Sequence, residues 1–290
     1  MSDIVYVNGS FVAKEDAVIS IFDRGFLMAD AVYEVASVIG GKLIDNGSHL
    51  ARLGRSLKEL SIKWPLPEAE LVGVMEEMVK RNALDEGLVY LQVTRGVAPR
   101  DFSLPDVDPT LIMFTMVKSI LNAPVATKGI RVITTPDIRW QRRDIKTTSL
   151  LAASMARQTA LDAGADDAWL VEDGFITEGS SNNAFIVTTD GALVSPSLAK
   201  GMLHGITRKA ILWLAEKEGL KIEERSFTPE EACQAAEAFS TSASAIVMPV
   251  IQINDNIMSN GAPGPIATKL RAAYLEMAVN QGGVADKLEA

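Results

Sequence analysis

Lys146, Glu178 and the helix start at Gly205 are the positions where residue type and setting could do chemistry. Lys146 lies in Asp144-Ile145-Lys146-Thr147-Thr148-Ser149, between an apolar strand upstream (Ile130, Val132, Ile133) and a helix downstream. The three hydroxyl residues after it are expected to cap that helix, because their side-chain oxygens can accept from its first N–H groups. Burying an ammonium favours the free amine, the form in which a lysine is a nucleophile. Read plainly, Lys146 is a solvated lysine at a strand end, which suits nearly all the other lysines here. Thr177-Glu178-Gly179-Ser180-Ser181-Asn182 puts a carboxylate at a strand end, among residues that let the backbone approach a ligand closely. The plain reading there is a solvated glutamate in a turn. Gly205-Ile206-Thr207-Arg208 opens a helix whose free N–H groups and positive dipole end suit a phosphate. An ordinary helix cap is the commoner account. Residues 240–245, small and following a strand, could offer backbone N–H groups in the same way.

Composition narrows the classes to which such residues could belong. The 290 residues allow one large or two medium domains. An apolar fraction of 48% with 22% charged residues is that of an ordinary globular protein. The net charge of −9 is dispersed, which excludes the clustered basic surface that nucleic acid requires. Cys233 stands alone, and His49 and His204 have no partner at ligand spacing, so neither a disulfide nor a metal site is expected. The opening Ile4-Val5-Tyr6-Val7 has no basic and apolar leader pattern, and no apolar run reaches membrane-spanning length. These features predict a cytoplasmic α/β or α+β protein.

The elements that must carry these residues are legible from periodicity. Residues 4–7 and 10–12 read as a hairpin around Asn8-Gly9. The apolar run 18–22 reads as a further strand, followed by strands over 31–39 and 42–44. Leu50, Leu53, Leu57 and Leu60 form a helical stripe after Ser48, with Arg52 off that stripe. Leu71, Met75, Met78 and Val79 mark a second helix, begun near Pro67. Strands over 88–94 and 110–117 flank a loop containing Arg100-Asp101-Phe102. Residues 118–128 read as a linker, so a boundary near 120 would separate a small N-terminal domain (1–120) from a larger one (121–290) carrying Lys146. In the second half a strand, a helix ended by Gly164, a hairpin around Glu172-Asp173-Gly174 and short strands lead to the helix at Gly205. Thr228-Pro229-Glu230-Glu231 is a strong helix start, and a closing helix over 266–277 precedes a tail expected to fray after Gln281. Ser197-Leu198-Ala199-Lys200 matches the Ser-x-x-Lys of penicillin-recognising enzymes, but the Ser-Asp-Asn and Lys-Thr-Gly partners are absent.

Taken in order, the motifs resemble the class IV, fold type IV, pyridoxal-phosphate aminotransferases. The likeness runs through Asp23-Arg24-Gly25-Phe26, Asp30-Ala31-Val32-Tyr33-Glu34-Val35, His49-Leu50-Ala51-Arg52-Leu53, Val93-Thr94-Arg95-Gly96, Asp144-Ile145-Lys146-Thr147, the Glu178 motif and the Gly205 motif. Val32-Tyr33-Glu34-Val35 and Val93-Thr94-Arg95-Gly96 are most similar to D-amino-acid aminotransferases. The resemblance implies a two-domain fold, with a small N-terminal α/β domain and a larger C-terminal domain with a β-barrel-like core. It implies pyridoxal 5'-phosphate as cofactor and a homodimer with the site near the subunit interface. Lys146 would form the Schiff base and shuttle the proton, and Glu178 would pair with the pyridine nitrogen. Arg52, Ile206, Thr207, Ser242 and Ala243 would hold the phosphate. Tyr33, Val35 and Ser37, on one strand face, would line the substrate pocket with Arg100 and Phe102.

Two departures bear on substrate and cofactor. D-amino-acid aminotransferases carry Arg-x-His in the loop, a pair that binds the substrate α-carboxylate. Here Arg100 is present and Phe102 stands for the histidine. Ala243 stands where the family usually offers a threonine hydroxyl, which implies a weaker phosphate grip. The expected reaction is transamination between a D-amino acid and a 2-oxo acid, pyruvate or 2-oxoglutarate. The Phe102 change favours, as the alternative, an (R)-selective amine:pyruvate transaminase or a dual-specificity enzyme. An aminodeoxychorismate-lyase-like enzyme, a branched-chain aminotransferase and a non-catalytic small-molecule-binding protein on the same scaffold complete the field.

Overall fold

The computed structural model describes residues 3–198 and 201–288. Contacts divide the chain into two compact units. The first holds Met1–Ile120, Ile145–Ser149 and Asp286–Ala290; the second holds Leu121–Asp144 and Leu150–Ala285. The lysine-bearing segment thus groups with the first unit, whereas one break near residue 120 puts it in the second.

The first unit is a six-stranded antiparallel sheet with helices on one face. Its strands are β1 (Ile4–Val7), β2 (Ser10–Ala13), β3 (Ala31–Ile39), β4 (Lys42–Ile44), β5 (Glu86–Thr94) and β6 (Thr110–Val117), in the order β2-β1-β6-β5-β3-β4. Asn8 and Gly9 both have positive φ (43° and 94°), the backbone that a two-residue hairpin turn needs. Helices α1 (Arg24–Met28), α2 (Asn46–Glu59) and α3 (Glu68–Arg81) complete the unit. Val32, Ala36 and Val38 of β3 pack with Leu50, Leu53 and Leu57 of α2 and with Leu71, Met75 and Met78 of α3.

The second unit is built on a curled, mixed nine-stranded sheet. A short helix, α4 (Pro124–Lys128), leads into β7 (Ile130–Pro136), α5 (Leu151–Asp162), β8 (Asp167–Glu172), β9 (Phe175–Gly179), β10 (Asn183–Val187) and β11 (Leu193–Ser195). The chain continues through α6 (Ile206–Lys217), β12 (Ile222–Glu224), α7 (Pro229–Gln234), β13 (Glu237–Ser242), β14 (Ile246–Ile253), β15 (Asn256–Ile257) and α8 (Pro265–Gln281). Strands run in the order β12-β11-β10-β13-β14-β7-β8-β9, with β15 on β14. Trp169, Ile186, Phe227 and Val250 lie in its core.

Three expectations are overturned, each for a local reason. Residues 18–22 form no strand: Ser20 draws the backbone into a turn, its Oγ accepting from Phe22 N–H (3.1 Å) and its carbonyl from Asp23 N–H (3.0 Å). The hydroxyls of 147–149 do not cap α5, whose N-cap is Leu150 without a side-chain bond. Thr147 and Thr148 are instead tied to the start of β3, through a bridge from Thr147 to Val32 and a bond from Thr148 N–H to the Ala31 carbonyl (3.1 Å). The tail after Gln281 does not fray within the described residues. Ala285–Leu288 forms a 3-10 turn, and Asp286 accepts from the Gly47 and Ser48 N–H groups (3.0 and 2.6 Å) at the start of α2.

Candidate active site

In the first unit the candidate residues gather around β3. β4 pairs with only the second half of β3, at Ser37, Val38 and Ile39. The first half of that edge is covered by the lysine segment, with Tyr33 N–H donating to the Lys146 carbonyl (2.9 Å). An otherwise open strand edge therefore fixes the backbone at Lys146. Lys146 Nζ lies 4.2 Å from the Tyr33 ring centroid, within cation–π range. Tyr33 stacks on Tyr90 (5.5 Å), and Tyr90 on Phe114 (4.6 Å), a row of rings across β3, β5 and β6. Burial pushes the Tyr90 hydroxyl well above its ordinary value. Tyr33, Val35 and Ser37 share the face opposite Val32, Ala36 and Val38, as strand alternation dictates.

Arg52 is buried, and its guanidinium is committed in part. Nε and Nη2 donate to the two Glu34 carboxylate oxygens, each at 2.8 Å, and His49 Nδ1 lies 2.8 Å from Glu34 Oε2. Arg100 and Phe102 sit in the β5–β6 loop, the guanidinium 5.7 Å from the Phe102 ring, and Phe102 is 81% exposed. The loop is anchored by Arg24, whose Nη1 donates to the Asp101 carbonyl (2.7 Å) while its Nε bonds Asp30 (2.7 Å).

In the second unit Glu178 closes β9 and is buried. Its Oε2 accepts from Leu203 N–H (3.1 Å) and Asn183 Nδ2 (3.2 Å), and its Oε1 from Arg139 Nη1. Burial pushes its carboxyl above the ordinary value, opposed by the Arg139 charge and hydrogen bonds. Gly205 is the N-cap of α6 with no side-chain cap, and the helix ladder begins only with Lys209 N–H to the Gly205 carbonyl (3.0 Å). A Cβ at Gly205 would fall 2.0 Å from Asn183 Oδ1, so only glycine fits beside that amide. Ser242 ends β13 and Ala243 begins the turn into β14; Arg271 of α8 holds that turn by donating to the Ala245 carbonyl (2.5 Å).

Sequence reasoning missed Arg139, Asp137, Glu34 and Thr241. The Thr241 hydroxyl, one residue before the named pair, is buried without a hydrogen-bond partner. In the second unit alone, an orphaned hydroxyl, an uncapped helix start and a buried carboxylate are groups that suit the phosphate and the pyridine nitrogen of pyridoxal 5'-phosphate. Among the described residues no cluster of His, Cys, Asp or Glu could hold a metal, and no helix is long and apolar enough to cross a membrane. Ala199 and Lys200 of the Ser-x-x-Lys match lie outside the described residues.

Comparison with known proteins gives the family. Residues 31–253 match the amino-transferase class IV family. A D-alanine aminotransferase of Bacillus licheniformis is 36% identical over 272 residues, spanning 93% of this chain and 95% of that protein. One from Staphylococcus haemolyticus is 34% identical over the same length, spanning 93% and 96%. A solved branched-chain aminotransferase from Thermoproteus uzoniensis, 25% identical, superposes with a TM-score of 0.86 over 97% of this chain and 96% of that one. The chain belongs to the class IV aminotransferases, a family of pyridoxal 5'-phosphate enzymes with the type IV fold. It is an aminotransferase, and the family's reaction moves an amino group between an amino donor and a 2-oxo acid.

Proposed function

We propose that the chain transaminates D-amino acids, with pyruvate or 2-oxoglutarate as amino acceptor, in the cytoplasm and as a homodimer. The observation that carries this is the 36% identity to a D-alanine aminotransferase across 93% of the chain. When bound, pyridoxal 5'-phosphate draws electrons from the substrate Cα and so makes its proton removable. Lys146 Nζ is the amine that would hold the cofactor and, once freed from it, carry the proton at the substrate Cα. Glu178 would pair with the pyridine nitrogen, its carboxylate held in place by Asn183, Leu203 and Arg139. The N–H groups of Ile206 and Thr207, with Arg52 and the Thr241–Ala243 stretch, hold the phosphate. Arg100 pairs with the substrate carboxylate as a bidentate donor.

A second reading rests on Phe102. An exposed aromatic ring where relatives of D-specific type carry a histidine favours an amino donor without a carboxylate, as in an (R)-selective amine transaminase. Half-reactions decide between the two. Purified protein should show a long-wavelength absorbance band that Lys146→Ala abolishes, and D-alanine should convert faster than (R)-1-phenylethylamine or L-leucine. A faster amine supports the second reading, and a faster L-leucine overturns both.

A further inference from the structure

Glu178 ends a line of alternating charges within the second unit. Arg139 Nη1 donates to Glu178 Oε1, while Arg139 Nη2 and Nε donate to Asp137 at 2.7 and 2.9 Å. The Asp137 side chain is fully buried and also accepts from Thr177 Oγ (2.8 Å), with Arg143 Nη1 3.3 Å away. Arg143 donates to both oxygens of Glu172, each at 2.7 Å, and Glu172 is partly exposed. The line therefore runs from a buried carboxylate, through two guanidinium groups and a second buried carboxylate, to an acid near solvent.

Orientation alone does not require Arg139. Oε2 of Glu178 is already held by two neutral donors, Asn183 Nδ2 and Leu203 N–H. What neutral donors supply less strongly is a reason for Glu178 to stay charged. Taking a carboxylate out of water favours its protonated form, and a protonated carboxyl offers fewer acceptor sites and carries a proton of its own. A guanidinium at contact distance opposes that, and Arg139 is itself held charged by Asp137 and Glu178 against the cost of its burial. The charged groups acting on Glu178 are Arg139 and, with the opposite sign, Asp137. Asp167, another buried carboxylate of this region, is engaged by Ser180 and Asn182.

We propose that Arg139, clamped by Asp137, is a positioning residue that keeps Glu178 an anionic acceptor for the cofactor's pyridine nitrogen. This rests on the role given to Glu178 above. Without Arg139 only the neutral donors Asn183 and Leu203 oppose the effect of burial on Glu178, so the pH below which Glu178 is protonated moves upward.

The test measures the affinity of apoprotein for pyridoxal 5'-phosphate as a function of pH, with the pH profile of the D-alanine half-reaction beside it. Arg139→Gln is expected to move the acid-side loss of both upward by about one pH unit or more, a tenfold change in proton affinity per unit. Arg139→Lys keeps the charge and should keep the unaltered profile. In a Glu178→Gln background, Arg139→Gln should add no further shift, because the group it acts on no longer titrates. An unmoved acid side in Arg139→Gln overturns the proposal, as does an equal shift in both backgrounds. Should the glutamine variant not fold, an acid side displaced in Arg139→Lys overturns it and an undisplaced one supports it. If the unaltered apoprotein takes up no pyridoxal 5'-phosphate, the site itself is misread; if it does and the Arg139 profiles coincide, only this inference fails.

Discussion

At the scale of single residues, Glu34 is the buried carboxylate of the first unit whose ionisation is held by two partners at once. It is buried on the inward face of β3 and holds both Arg52 and His49. Burial pushes its carboxyl up, but the Arg52 charge, with hydrogen bonds from Arg52 and His49, more than offsets that and holds it far below the usual range. The stability it contributes is therefore present above the unfolded value, about pH 4, and is lost as pH falls toward the lowered folded value. Glu34→Gln strands a buried guanidinium and should cost about 3 kcal/mol at neutral pH, read from urea unfolding, while flattening the acid-side loss of stability below about pH 4. Glu34 was legible in principle. It stands at an inward strand position otherwise filled by Val32, Ala36 and Val38, and His49 and Arg52 are three apart and so share a helix face. Arg139 and Asp137 lie in a segment without periodicity, where no spacing announces a partner, and only the folded chain brings them to Glu178.

At the scale of elements, the strands and long helices were readable because one buried face imposes a period on each. The regions that escaped are those set by single polar bonds, the turn at Ser20 and the uncapped start of α5. The start of α2 shows how far such a bond can reach along the chain. Its N-cap residue, Asp45, has positive φ (51°) and makes no side-chain cap bond, and the capping carboxylate comes from Asp286. A carboxylate there satisfies two N–H groups and faces the positive end of the helix that carries His49, Arg52 and Ser56. Asp286→Ala should cost about 1 kcal/mol of thermal stability, as loss of a capping side chain does. Asp286→Asn, which keeps an acceptor oxygen, should recover part of it; equal stability of all three proteins would remove Asp286 from the helix's account.

At the scale of the whole molecule, several large apolar side chains of the first unit face outward: Val18 (78% exposed), Ile21 (68%), Phe22 (54%) and Phe26 (67%). Clustered exposure of this kind marks an interaction surface. Together with the family's homodimers it predicts that sedimentation will give twice the mass of one chain, and that Ile21→Asp with Phe26→Asp will give a monomer. A monomeric unaltered protein would remove the homodimer from the proposed function. The motif order in the sequence sufficed to place the chain in its family. It did not reveal that the chain leaves the first unit and returns to it twice.

That routing has a consequence for how the protein comes into being. During synthesis the edge of β3 waits for Lys146, and the first turn of α2 waits for Asp286, nearly the whole length of the chain later. A nascent chain that has just emerged past Ile120 therefore carries an incomplete sheet with an open strand edge. The strand edge left open until then is closed only when residues 146–148 arrive, so the first unit reaches its finished form only after the chain has begun its second unit.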